Sequence, residues 1–195
     1  MLKKKLFAVF VAIFTMISAT NAQKVAIKTN LVNDAFLSPN LGVEIGLSPK
    51  WTLDIPVELN AWKLSHNRQW RHLSAQPEAR YWFCERFASN FIGVHAHGGW
   101  YNVGGLDMDF KFLGTDFSKL HQHRFQGWFA GAGISYGHAW ILNEHWNIEA
   151  EIGIGWSYTR FDRFKCEGCG QKEATDKSHN YYGPTKAALS LVYLF

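Results

Sequence analysis

The residues best suited to chemistry stand in three groups. Cys166-Glu-Gly-Cys169-Gly170 is the most motif-like. A Cys-x-x-Cys-Gly step resembles half of a zinc knuckle, and His179 is close enough in sequence to add a ligand. Structural zinc wants four ligands, however, and no second cysteine pair follows. If the loop lies outside the cell, its thiols meet an oxidising medium. A disulfide between Cys166 and Cys169 at a loop tip is therefore the expectation, with metal binding or free thiols as the alternatives. Cys84 falls at the opposite end of the pattern and joins neither.

The second group is His95 and His97, two residues apart and so on one face of a strand. With Glu149, Glu151 or Ser135 they offer a metal site or a Ser-His-Glu hydrolase. The commoner fate of such histidines is a hydrogen-bonded place in a polar interior. Ser135 has inward parity and His138 outward parity, whereas barrel lipid hydrolases place the nucleophile toward lipid. The third group is loop charge. Asp107, Asp109 and Asp116 fit no standard calcium cage. Lys63, His66, Arg68, Arg71 and His72 make a basic stretch able to meet phosphates.

The elements that must position these groups are strands. Trp51-Leu53-Ile55-Val57-Leu59-Ala61 alternate with Thr52, Asp54, Pro56, Glu58 and Asn60. Leu73 to Phe83 and Trp146 to Thr159 repeat the pattern, with apolar residues two apart over ten or more positions. Weaker copies begin at Val25, Leu41, Ile92, Trp128 and Leu189, which makes eight strands. Ser48 to Lys50, Cys84 to Ser89 and Leu142 to His145 read as short turns. Asn33 to Pro39, Lys63 to Arg71, Gly104 to Arg124 and Asp162 to Asn180 read as longer loops. Short turns at one end and long loops at the other form the up-and-down rhythm of membrane barrels.

Two faces follow. One carries Lys28, Glu44, Asp54, Glu58, Glu78, Arg80, His95, His97, Glu149, Glu151 and Lys186 among small residues, a set able to fill a narrow interior as a paired network. The other is apolar and ends in aromatics: Trp51, Phe83, Trp140, Trp146, Tyr193 and Phe195 at the short-turn end, and Trp100, Trp128, Trp156 and Tyr158 toward the long loops. Amphipathic rings favour the headgroup level of a bilayer. A lipocalin-like carrier would invert these faces, with its apolar side turned inward to a ligand.

At the start, Lys3, Lys4 and Lys5 precede an apolar stretch from Leu6 to Ile17 and a small-residue site ending at Ala22. This predicts a cleaved export signal over residues 1–22, with the barrel over 23–195. Without the signal, seventeen Lys and Arg face sixteen Asp and Glu, a net charge of +1. Such a balance excludes an electrostatic nucleic-acid binder. Nine Trp and only 18 % charged residues exclude disorder. No apolar run after residue 22 approaches the roughly 18 residues of a spanning helix.

The C-terminal run Leu189-Ser-Leu-Val-Tyr193-Leu-Phe195 resembles the signal read by the machinery that inserts bacterial outer-membrane barrels. Lys28-Thr-Asn-Leu31, Asn40-Leu-Gly-Val-Glu44, Gln76-Pro-Glu-Ala-Arg-Tyr-Trp-Phe-Cys84, Gly98 to Gly104, Gly127 to Tyr136 and Gly183-Pro-Thr-Lys186 together resemble a family of Bacteroidota envelope proteins, domain of unknown function 3575. The resemblance implies an outer-membrane barrel and carries over no catalytic residue and no cofactor.

The expectation is an all-β, eight-stranded antiparallel up-and-down transmembrane β-barrel in the bacterial outer membrane, with short periplasmic turns, longer extracellular loops and a filled interior. Its partners would be outer-membrane lipid and lipopolysaccharide, the insertion machinery, and a protein or glycan at the loops. Its role would be non-enzymatic: anchor, adhesion or surface-structure support. A lipid-modifying barrel enzyme and a secreted lipocalin-like carrier are the alternatives.

Overall fold

Alternation of apolar and polar side chains shapes the backbone from Val25 to Phe195. The computed structural model describes residues 25–63, 69–104, 111–112, 115–116, 123–164 and 172–195. Its strands are β1 (Val25–Asn30), β2 (Asn40–Gly46), β3 (Trp51–Lys63), β4 (Gln69–Ala75), β5 (Glu78–Trp82), β6 (Ser89–Gly104), β7 (Lys111–Phe112), β8 (Thr115–Asp116), β9 (Arg124–Ile141), β10 (Trp146–Phe164) and β11 (Lys172–Leu194). A short helix, α1 (Leu31–Ala35), follows β1 and starts where the Asn30 side chain accepts a hydrogen bond from the Val32 amide.

Each long strand pairs antiparallel with its neighbours, and β1 pairs with β11 to close the sheet. The result is a closed eight-stranded antiparallel barrel. β4 and β5 are two halves of one stave, since both lie between β3 and β6. Pro77 has no amide hydrogen to offer the ladder, and the stave breaks there. Turns at 47–50, 83–88 and 142–145 lie at one end. The seam closes at that end, where the Phe195 amide donates to the Val25 carbonyl.

The eight predicted strands are all present, with differences in detail, among them the pairing of Lys63 with Gln69 and of Ala61 with Arg71 in what was expected as loop. Asn33 to Pro39, expected as plain loop, contains most of α1. The segment expected as loop from Asp162 to Asn180 is instead paired strand up to Phe164 and again from Lys172. β7 and β8 form a small separate hairpin within the third long connection.

The wall has uneven height. β1 and β2 have six and seven residues, whereas β9, β10 and β11 have 18, 19 and 23. Pairing of β1 with β11 stops at Asn30 and Ser190, and pairing of β2 with β3 begins at Asn40 and Glu58. Beyond those points β11 and β3 continue without β1 and β2 between them, leaving a notch. Phe36 to Pro39 fill its β3 side, where the Leu59 amide donates to the Pro39 carbonyl and the Trp62 indole to the Leu37 carbonyl, while α1 packs against β11. On the β11 side, side-chain amides replace the missing strand. Asn30 Nδ2 donates to the Ala187 carbonyl at 3.2 Å, and Gln76 Nε2 crosses the lumen to the Thr185 carbonyl at 3.1 Å.

Candidate functional site

The interior has three layers, each dictated by which inward residues the register brings to one height. At the short-turn end Ala26, Trp82, Phe87, Phe91, Ala139, Val192 and Leu194 form an apolar plug. Trp82 and Phe91 rings lie 4.6 Å apart, and the Trp82 indole donates to Thr52 Oγ1 at 2.9 Å. Phe87 reaches this plug from the turn after β5, so the turn itself stops that end of the barrel. Parity had already turned Trp82 inward, but nothing in the alternation set it apart from the charged face.

The middle layer is ionic. Arg80, 1 % exposed, contacts Glu44 at 2.8 Å, Asp54 at 3.0 Å, Glu78 at 2.7 Å, Glu149 at 3.0 Å and Glu151 at 2.6 Å. Lys28 pairs closely with Glu44 and lies 3.4 Å from both Asp54 and Glu149. Lys186 reaches Glu78 at 2.7 Å and Glu151 at 3.1 Å. These contacts draw on β1, β2, β3, β5, β10 and β11, so the network ties together staves far apart in sequence. Each ion is costly to bury alone and tolerable only because several partners satisfy it. Small residues make the room. A Cβ on Gly42 would stand 2.7 Å from Lys28 Cγ, and one on Gly133 would stand 2.6 Å from His95 Nε2.

The upper layer is aromatic and histidine-rich. His95 and His97 rings lie 5.8 Å apart, His97 and Phe129 6.1 Å, and Phe125 and Phe161 5.5 Å. Tyr101 and Thr159 hydroxyls share a hydrogen bond of 2.8 Å.

The expected interior residues divide as follows. Lys28, Glu44, Asp54, Glu78, Arg80, Glu149, Glu151 and Lys186 come together in the ionic layer. His95 sits above it, 3.5 Å from Glu78, with Nε2 hydrogen-bonded to Thr185 Oγ1 at 2.9 Å. His97 lies one layer further on. Glu58 stands apart, paired with His72 at 2.9 Å. His72 was placed in a basic loop but points inward from β4, while Arg71 beside it is exposed. The hydrolase grouping is not assembled among the described residues: Ser135 Oγ is buried without a hydrogen bond, and His138 faces outward to Asn90. No group of three or more His, Cys, Asp or Glu among the described residues is arranged to hold a metal. Cys166, Cys169, Asp107, Asp109, His66 and Arg68 lie outside the described residues, as does the expected export signal, and Cys84 is an exposed free thiol.

The outer face carries the apolar residues. Ile152 is 70 % and Val94 65 % exposed, while Glu44 is fully buried. Trp51, Phe83, Trp140, Trp146 and Phe195 are exposed at the short-turn end, and Trp100, Trp128 and Trp156 toward the other. Tyr158 packs on Trp128 at 5.8 Å, and Tyr193 lies between Trp146 and Phe195 at 5.0 and 4.9 Å. No helix among the described residues is long and apolar enough to cross a membrane.

Above the ionic layer a cavity of about 180 Å³ lies inside the notch. Lys28, Asp54, Arg80, Glu151 and Lys186 line its floor, and Asn30, Asn40, Ser74, Gln76 and Thr185 its sides. No sequence pattern marked it, because a gap between unequal strands has no local signature.

The family described as "Protein of unknown function (DUF3575)" has a model that matches residues 7–195. No curated protein matches the chain.

Proposed function

The chain belongs to that family of uncharacterised proteins, and from this premise we propose that it is an outer-membrane barrel of the bacterial envelope, exported by a cleaved signal at residues 1–22. One observation carries the reading: the side chains are distributed inside out. Charged residues fill the interior, and a belt of Ile, Val, Leu and Ala between two sets of exposed aromatics faces outward. In water that belt would be an apolar patch far larger than soluble monomers expose. In a bilayer the same belt is the matched solvent, and the rings sit at the two headgroup levels.

The protein acts through its outer surface rather than by conduction. Eight strands leave room only for side chains, and the plug around Trp82 and Phe91 stops the lumen. β9, β10 and β11 carry the wall beyond Trp156 as a raised edge, a platform for contact with lipopolysaccharide and with a protein or glycan outside the cell. Anchoring or surface-structure support is the role that suits a filled barrel with one tall rim.

Fractionation tests the location. The native cells are separated into periplasm, inner and outer membrane, and the fractions run on a gel with and without boiling. An outer-membrane band that migrates faster unboiled is the expected result. Recovery as a detergent-independent soluble protein would overturn the reading.

A further inference from the structure

Two outward rows run side by side across the upper wall. The register sets Leu73, Trp100 and Trp128 in one row on β4, β6 and β9, and Arg71, Asn102 and Gln126 in the next. Outward positions recur every second residue, so the rows are about 7 Å apart along the strands. Within that single step the surface changes from apolar and aromatic to polar. A groove of about 600 Å³ lies along the boundary. The intervening side chains of His72 and Tyr101 turn inward to Glu58 and Thr159, and Gly127 has none, so its floor is sheet backbone.

The chemistry of an occupant follows from the lining. Arg71 is exposed, and no carboxylate among the described residues pairs with it. Asp162, at the far end of the groove, is already held by Lys172 at 2.8 Å. A free guanidinium matches an anion, and its planar fork suits phosphate oxygens. Gln126 is exposed beside it, with an amide that both donates and accepts, as a hydroxylated ligand requires. Below, Trp100 and Trp128 are 67 % and 39 % exposed, rings suited to the level where headgroup meets hydrocarbon. The volume falls in the range of about 300–1,000 Å³ usual for organic ligands and far exceeds one phosphate. A peptide adding as a strand finds no opening here, since β4, β6 and β9 are each paired on both sides.

We propose that this groove binds the phosphorylated headgroup of a glycolipid in the outer leaflet. Arg71 holds a phosphate, Gln126 a sugar hydroxyl, and the acyl chains descend past Trp100 and Leu73. The proposal rests on the outer-membrane reading and names the part of the wall that meets lipopolysaccharide.

The test is binding of lipid A, a diphosphorylated glycolipid, by the folded barrel in neutral detergent, read by native mass spectrometry. Saturable binding of one lipid is expected. Removing the lipid's phosphates should weaken it at least about tenfold, as should Arg71→Gln, the ratio that loss of a charge-assisted hydrogen bond gives. Ala61→Trp fills the groove from β3 without altering charge and should abolish binding. Arg71 and Ala61 are both exposed, so both variants should keep the boiled-versus-unboiled gel shift that shows a folded barrel. Lys177→Gln removes an exposed rim cation outside the groove and should bind as the unaltered protein does. No binding, equal binding of the dephosphorylated lipid or of phosphatidylglycerol, or unchanged binding in either folded groove variant overturns the proposal. Such a failure leaves the membrane location standing, because fractionation reads it separately. Recovery as a detergent-independent soluble protein overturns both.

Discussion

Arg80 is the side chain on which the interior turns. It is the one group in contact with all five carboxylates of the layer, and its planar fork offers more N–H donors in a fixed geometry than an ammonium does. Arg80→Ala should cost about 3–5 kcal/mol, the usual result of leaving buried charges without their partner. Arg80→Lys should fall between the two. Urea unfolding followed by the gel shift of the folded band measures both. Gly133 makes the complementary case. A Cβ there would stand 2.5 Å from the Ile154 carbonyl oxygen and 2.6 Å from His95 Nε2, so Gly133→Val should cost at least about 1–3 kcal/mol through overpacking. These residues were legible as inward-facing from parity alone. Their partnerships were not, because Arg80 joins β2, β3 and β10, which only barrel closure brings within reach.

At the scale of the strand, the period of two decides which substitutions matter. Ile152 and Glu151 are chain neighbours on opposite faces, one 70 % exposed and the other buried. In the proposed bilayer, Ile152→Asp should lower the folded fraction in vesicles by a few kcal/mol at most, while leaving the detergent-folded barrel nearly intact. Equal yields of variant and wild type in vesicles would count against the outward membrane face. The tall hairpin of β10 and β11 adds a charge effect. Arg160 pairs closely with Asp176, and Lys172 lies 2.8 Å from Asp162. The Arg160 side-chain bond holds Asp176 below its ordinary value of 3.8, and the bond from Lys172, then the Asp176 amide, does the same for Asp162. A depressed acid contributes stability above its unfolded value and loses it as pH falls through the folded one. Protection of the hairpin tip should therefore weaken as pH drops below 3.8, and salt should weaken it at neutral pH. Amide exchange over residues 172–180 reads both.

For the whole molecule, the layered interior sets what the barrel can pass. The plug of Trp82, Phe87 and Phe91 at one end and the ionic layer above it leave no continuous lumen. The protein in planar bilayers should show no steady conductance. Truncating Trp82 and Phe91 together to Ala should destabilise it by several kcal/mol, since each large-to-small core change costs about 3–5 kcal/mol, before it opens a path. A stable, well-resolved pore in the unaltered protein would contradict the filled interior.

Much of this architecture was written in the order of residues. Alternation along a strand is local, so strand count, face identity and the placement of Lys28, Glu78 and Arg80 inward could be read from neighbours two apart. The short turns were equally plain. What only the tertiary structure decided depends on comparing strands that never adjoin in sequence. The break at Pro77 makes one stave of two strands. β1 and β2 stop short beside β3 and β11, and that mismatch opens the notch. Asp54 Oδ1 is left without a partner because Arg80 and Lys28 converge on its other oxygen from different staves. Side-chain alternation is set within a few residues, whereas a gap, a cavity and an unmatched charge exist only once the sheet has closed on itself.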